Sequence, residues 1–408
     1  MNVYKVTHFF ATESDFKVIL IRTFATMKKV YFDSAATTEL RSEVIHCITE
    51  VLKTEYGNPS STHSYGRSSK SLLENARKEI AGYLNVSAAE IIFTSGGTEA
   101  DNLIINSCVR DLGVTRIISS KIEHHAVLYC INQLHEKHNV KIEYVSLDEC
   151  GHINYEHLEE LLKDDSQKTL VSLMHVNNEI GNILDLKRTA TLCKKYNALF
   201  HSDTVQSVGH YELDFSEIPV DFAAVAAHKF HGPKGAGFAF VRKNTGLKPL
   251  IFGGEQERGL RAGTEAVYAI AGMSEALKIS YQNLEKERAY ITELKDYFKN
   301  SLLKEIPGVS FNGSCDDNEK STYTLLNVCL PITPEKALML LFQLDLNGIA
   351  CSRGSACQSG SSNGSHVLNE ILSEEDLQKP SIRFSFCSFN TKDEVDYVIA
   401  FLKEFIAS

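Results

Sequence analysis

The chain has 408 residues, 43% of them hydrophobic, which is ample for a large core and for more than one domain. Its net charge of -10 argues against a nucleic-acid partner, which needs a basic face, and no apolar run is long enough to cross a bilayer. Ten cysteines are scattered with no C-x-x-C pair, so neither a disulfide framework nor a zinc site is indicated and a reducing cytoplasm fits best.

Residues 1–26, "MNVYKVTHFFATESDFKVILIRTFAT", differ in character from the rest of the chain. Val18 to Ile21 is too short an apolar block for a signal peptide, and Arg22 beside Glu13 and Asp15 does not make a transit sequence. We read them as an N-terminal extension, with Met27 as the true or an alternative start. From about residue 40, helical periodicity puts Val44, Ile45, Ile48, Val51 and Leu52 on one face of a first helix. Leu72, Leu73, Ala76, Ile80 and Leu84 do the same on a second. Strand candidates then recur as short apolar runs: "IIFTS", "RIISS", "IEYVSL", "TLVSLMHV", "ALFHSD", "DFAAVAA" and "GFAFV". Helical stretches separate the earlier ones, an alternation that predicts βαβ units and a largely parallel sheet covered by helices. A polar helical segment over about 265–303 leads to a smaller α/β set made of "TLLNVCL", "PEKALMLLFQL", "IACSRG", "SIRFSF" and a last helix. The predicted layout is a large domain over 27–280, whose segment 27–40 packs near a smaller domain over 281–408.

The candidate chemistry falls at the strand ends. "TSGGTEADN" comes after a strand, and its Gly96 and Gly97 let bare N–H groups at a helix start meet an anion. Thr98-x-x-Asp101 also matches a capping box, so phosphate binding and plain capping are equal readings of this motif. Lys229, in "AAHKFHGPKGAGF", sits at the inner end of an apolar strand, where a lysine is costly unless it forms a Schiff base or snorkels. Asp203 and Gln206, the Asn177–Asn178–Glu179 run, and His124 with His125 end or trail other strands. In a parallel sheet these ends face one crevice. His135 and His138 are read as surface residues, and no cysteine or carboxylate cluster completes a metal set. An anion cradle, a buried lysine, an acid and an imidazole suit pyridoxal phosphate (PLP). The phosphate sits on the helix start, Lys229 holds the aldehyde as an imine, Asp203 keeps the ring nitrogen protonated and His124 stacks on the ring. Cys357 stands apart, in the Gly/Ser/Asn run "CSRGSACQSGSSNGSH", which predicts a mobile loop able to carry a thiol to another group.

From about Val30 onward the chain resembles the cysteine desulfurases of the class V aminotransferase family, and among them the NifS/IscS-like group. The resemblance rests on ten ordered segments, among them "YFDSAATT", "GNPSSTHSYGR", "EHHAV", "SDTVQSVG", "ERGLRAGTE" and "GSACQSG". It implies the fold type I architecture of PLP-dependent transferases, with a mostly parallel seven-stranded sheet in the large domain. By position, Lys229 matches the lysine bonded to the cofactor, and His124 the stacking histidine that also moves protons. Asp203 and Gln206 match the groups at the pyridine nitrogen and ring oxygen, and Asn178 another residue of the PLP site. Gly97, Thr98 and His228 match phosphate ligands, and Thr264 a phosphate ligand given by the second subunit of a homodimer. Arg383 matches the arginine on the substrate carboxylate, with Asn58 near it, and Cys357 the nucleophile. The resemblance thus implies conversion of L-cysteine to L-alanine with a persulfide left on Cys357. The sulfur then passes to an acceptor protein, an iron–sulfur scaffold or a sulfur carrier.

Three departures qualify it. Ala226-Ala227 replaces the family's usual Ser-Gly before His228-Lys229, so a phosphate-binding hydroxyl is absent. Phe386-Cys387 replaces Leu-Gly and puts a second thiol near the substrate end or, more simply, a small apolar filler. The sequence ends at Ser408 without the tail that docks a scaffold, which leaves the acceptor open. Within the family, a transaminase has no use for Cys357, whereas a selenocysteine lyase shares the same groups.

Overall fold

The seven apolar runs pair into one sheet. The computed structural model describes residues 28–353 and 364–408. A short strand β1 (Val30–Tyr31) precedes helices α1 (Ser42–Thr54) and α2 (Ser64–Tyr83). Then β2 (Ile91–Thr94), α3 (Gly97–Arg110), β3 (Arg116–Ser119), α4 (His125–His138), β4 (Lys141–Tyr144), α5 (Tyr155–Leu162), β5 (Thr169–Ser172), α6 (Leu186–Lys195) and β6 (Leu199–Asp203) alternate. Strands β7 (Phe222–Ala226) and β8 (Gly237–Val241) come next, with no helix longer than one turn between them. The order across the sheet is β2-β8-β7-β6-β5-β3-β4. Every pairing is parallel except those of β8 with β2 and β7. The short β7–β8 connection explains the reversal, because a parallel return needs a longer crossover. Strands inside the sheet are buried at every position except Leu199 at the start of β6, and each holds a short apolar stretch, while β4, at the edge, carries Lys141 and Glu143.

Beyond the sheet, the predicted polar segment over 265–303 is two helices that meet at Asn283. The first, α7 (Val267–Gln282), is largely buried and apolar, and α8 (Leu284–Glu305) is polar. Strands β9 (Ser310–Phe311) and β10 (Leu325–Cys329) lead to α9 (Pro334–Leu346) and β11 (Ile349–Ala350). After the undescribed stretch come α10 (His366–Ile371), β12 (Ser381–Ser385) and α11 (Lys392–Ala407). Strands β12-β10-β9 form an antiparallel sheet, and β1 pairs in parallel with β11. A second core lies over this part, where Phe32 packs edge-on against Phe298 and Phe386.

The apolar face of α1 is narrower than its sequence suggests. Val44 and Val51 are buried, but Ile45 and Leu52 are 50% and 57% exposed. The helix lies close against α7 at Gly272, where a Cβ would come within 2.6 Å of Ile48 Cγ1, and that line of contact leaves Ile45 and Leu52 to one side.

Candidate active site

The carboxyl ends of β2, β3, β5, β6 and β7 open on one cavity of about 230 Å³. Gly97, Thr98, Asp101, His124, Asn178, Asp203, Gln206, His228, Lys229 and Arg383 all line it, together with Ala35, Ala36, Met174, Val205 and Ala226. At its β2 corner the backbone turns through Gly96, at φ +151°, into α3. Gly237 of β8 lies so close that a Cβ there would fall 2.7 Å from Gly96 Cα. No side chain among the described residues caps α3, so its first N–H groups are left for an anion. The capping box read from Thr98 and Asp101 is not formed. Asp101 is instead buried beneath the cavity with Oδ1 3.3 Å from His201 Nε2, and His201 Nδ1 meets Ser172 Oγ at 2.9 Å.

Asp203 ends β6, buried, with Oδ1 accepting from Val205 N–H at 2.9 Å. Burial, and then the nearby Asp101, push its carboxyl up to about 7. A carboxyl held there needs a cationic or N–H partner to stay ionised, which is what a protonated ring nitrogen offers. Lys229 projects from the single turn after β7 and donates from Nζ to the carbonyls of Ala35 at 2.7 Å and Ala36 at 2.8 Å. Gln206 Nε2 donates to the same Ala35 carbonyl at 2.9 Å. His228 Nδ1 meets Thr37 Oγ1 at 3.2 Å.

His124 caps α4, its Nδ1 accepting from Ala126 N–H at 3.1 Å. Burial and then Lys229 lower its pKa to about 4, so the ring is neutral at physiological pH. With Nδ1 occupied as an acceptor, the ring hydrogen belongs on Nε2, and His124 presents a donor rather than a base. Arg383, on β12, is buried. Its Nη1 donates to the Asn178 carbonyl at 2.7 Å and its Nη2 to Asp33 Oδ1 at 2.9 Å.

The chain matches the aminotransferase class-V family model over residues 30–398. It belongs to the class V aminotransferase family. Among its relatives, it is 40% identical over 381 residues to the cysteine desulfurase IscS of Dictyoglomus turgidum, covering 93% of this chain and 95% of that one. The putative cysteine desulfurase IscS 1 of Bacillus subtilis is 40% identical over 373 residues, covering 90% and 96%. A solved NifS-like protein superposes with a TM-score of 0.85 at 34% identity, over 93% of this chain and all of that one. The fold is therefore that of the fold type I PLP-dependent enzymes, and class V enzymes use PLP as a family.

Class V membership leaves two of the predicted residues unplaced. Asn58 is exposed and outside the cavity, its Oδ1 turned back to Ser60 N–H at 2.9 Å. Thr264 is likewise exposed and absent from the lining. Cys357 lies outside the described residues. Cys387 does not reach the cavity. It is buried and lines a separate cleft with Tyr31, Phe389 and Asn390, away from the substrate end. Sequence reasoning missed Asp101 as a lining residue, and Asp33 as the partner of Arg383.

Proposed function

We propose that the chain is a PLP-dependent cysteine desulfurase that converts L-cysteine to L-alanine and leaves the sulfur on Cys357 as a persulfide. One observation carries the proposal: Lys229, Asp203, Arg383 and an uncapped helix start meet in one cavity. The names of the relatives, cysteine desulfurases at 40% identity, support the same reading.

The residues present fit PLP. The start of α3, with Gly97, Thr98 and His228, would hold its phosphate. Asp203 would hold its ring nitrogen, Gln206 its ring oxygen, His124 its ring face, and Lys229 would bond to it covalently, with Asn178 at its edge. When bound, PLP supplies an electron sink for the pair released at the substrate's α-carbon. The chain's own groups do the rest. Each terminal nitrogen of Arg383 keeps a second N–H beyond its present bond, so the guanidinium has donors left for the substrate carboxylate. Lys229 Nζ removes the α-proton, because His124 offers a donor and not a base. The Cys357 thiolate forms a bond to the substrate's sulfur as the C–S bond breaks, the carbon that keeps the pair takes a proton to become the methyl of alanine, and the proton held by Lys229 returns to the α-carbon. L-Cysteine and a thiol enter, alanine and a persulfide leave, and no external oxidant is needed.

Thr264 belongs to this reading as a residue offered to the cavity of a second copy in a homodimer. Its exposure supports that placement. The persulfide then passes to an acceptor protein, an iron–sulfur scaffold or a sulfur carrier. The free cysteines among the described residues support a reducing cytoplasm, and no described helix is long and apolar enough to cross a membrane.

The test is to incubate the purified protein with PLP and L-cysteine without reductant, assay alanine, and map the Cys357 peptide by mass spectrometry. One added sulfur on Cys357, with alanine formed and both lost in Cys357→Ala, is the expected result. Alanine without that sulfur would replace the proposal with a lyase releasing free sulfide or selenide.

A further inference from the structure

Glu99 is the third residue of α3, next to Thr98, yet it does not line the cavity. Its Oε2 accepts from Ser95 N–H at 2.9 Å, which ties the residue before Gly96 to the first turn of the helix. Arg261 meets the same carboxylate from the loop that precedes α7, with Nε donating to Oε1 at 2.8 Å and Nη2 to Oε2 at 3.3 Å. The Glu99 side chain is 13% exposed and that of Arg261 23%, so water and salt screen the pair only in part. Burial raises the Glu99 carboxyl, but the hydrogen bonds from Arg261 and Ser95 outweigh it and hold the group below its usual range, so it is ionised.

A carboxylate in the first turn of a helix is drawn to its positive end. The proposed function gives that same end to the phosphate of PLP, a group with about two negative charges at neutral pH. An ionised Glu99 without a counter-ion would repel the phosphate and compete with it for the helix dipole. The bond to Ser95 gives the acid a use in shaping the turn; its charge works against the ligand. Arg261 cancels that charge. Glu257 and Glu265 also act on Arg261, but Glu257 is already paired with Arg77 at 2.6 Å.

We propose that Arg261 is a positioning residue for the cofactor: it neutralises Glu99, so that the start of α3 keeps the turn this acid shapes and still receives a phosphate. The inference rests on the PLP reading and concerns one cavity of one chain. It predicts effects of opposite sign. Removing the cation alone leaves an uncovered carboxylate in the turn that holds the phosphate and weakens binding. Removing the acid alone leaves an uncovered cation there and does not weaken it. Removing both returns the local charge to zero. A contact needed only for the fold would weaken binding in all three cases. Pyridoxal, with the same ring and aldehyde but no phosphate, reports on the rest of the cavity without this charge.

The cofactor-free native protein, Arg261→Met, Arg261→Lys, Glu99→Gln and the double variant Arg261→Met with Glu99→Gln would be titrated with PLP and, separately, with pyridoxal, following the absorbance of the bound ring. For PLP, the expected affinity is lower by about tenfold or more in Arg261→Met and within about threefold of native in Arg261→Lys and the double variant. In Glu99→Gln it is native or tighter. Pyridoxal should bind all five proteins within about twofold of one another. Native PLP affinity in Arg261→Met would overturn the role and leave the PLP reading intact. Equal losses in Arg261→Met and the double variant would show that the pair only shapes the loop, and overturn it too, as would a matching loss for pyridoxal. Should Arg261→Met fail to fold, tighter PLP binding by Glu99→Gln than by the double variant supports the role, and an equal or reversed order overturns it. A native protein that gives no absorbance change with either compound would overturn the PLP reading, and this inference with it.

Discussion

Ala226 lines the cavity beside Gly97, 3.8 Å from the point where a Cβ on that glycine would lie. The resemblance of the surrounding segment implies a serine here in related enzymes, so on the proposed reading this chain offers a bound phosphate one hydroxyl fewer. Ala226→Ser should therefore tighten PLP binding by about 1 kcal/mol, roughly fivefold, the net value of one hydrogen bond. Titration of the cofactor-free protein with PLP would measure it, and unchanged affinity would place the phosphate elsewhere. Most of the residues that converge on the cavity were legible as polar or glycine exceptions at or just after the end of an apolar strand; Arg383, in the middle of β12, came only from the resemblance. Asp33 was not legible, and for Glu179 the polar run was visible but its partner was not. Their partners, Arg383 and Ser365, lie 350 and 186 positions away, and nothing local distinguishes a buried acid from a solvated one. Asp101 was read as a capping residue because its spacing from Thr98 allows that; only the packing of β6 against α3 turns it toward His201.

At the scale of elements, one buried pair fastens the second helix to the sheet and to the turn before α7. Arg77 of α2 donates from both terminal nitrogens to Glu257, at 2.6 and 2.7 Å, and also to the Ile91 carbonyl of β2. Glu257 accepts in addition from Phe93 N–H, and its backbone is left-handed at φ +48°. The same turn leads to Arg261, which pairs with Glu99 in the first turn of α3 at 2.8 Å. Glu257→Gln leaves the buried Arg77 only Glu74, one-third exposed and 3.1 Å from its Nε, as counter-ion, so it should cost up to about 3–5 kcal/mol of stability. The double change Arg77→Met with Glu257→Leu should cost clearly less, since it buries no charge. Urea unfolding of the three proteins decides it, and a single variant losing under about 1 kcal/mol would show that the pair is hydrated. The seven strands of the large sheet were readable from sequence, because each carries a short apolar stretch between helical or turn segments. Their order was not, since the insertion of β8 between β2 and β7 depends on pairing far apart in the chain. Nor was the width of the buried face of α1, which periodicity alone overstates.

The molecule as a whole carries its buried titratable groups in two opposed sets. His124, His201, His228 and His231 are lowered to about 4, and His175 to about 3, in each case first by burial. Their contribution to stability is complete above the unfolded value of 6.5 and is lost as the pH falls toward 4. Asp203, raised to about 7, acts the other way: its contribution is complete below 3.8 and is lost as the pH rises through 7. The cofactor-free protein is thus pressed from the acid side by imidazoles and from the alkaline side by buried carboxyls, Asp101 and Glu123, which burial also raises, together with Asp203, which the proposed function assigns to the ring nitrogen. Asp203→Asn removes its own share of the second pressure and none of the first, and its amide oxygen can still accept from Val205 N–H. The variant without cofactor should be more stable than the native chain by on the order of 2–4 kcal/mol at pH 8, with a much smaller gain at pH 5. It should also bind PLP poorly and form no alanine. Urea unfolding of both cofactor-free proteins at the two pH values is the measurement. A gain equal at pH 5 and pH 8 would mean that Asp203 is not the titrating group. A loss at pH 8 would mean that its charge already has a full partner in the folded chain. The expected pattern, stability gained where function is lost, would identify Asp203 as a charge kept buried for a ligand rather than for the fold.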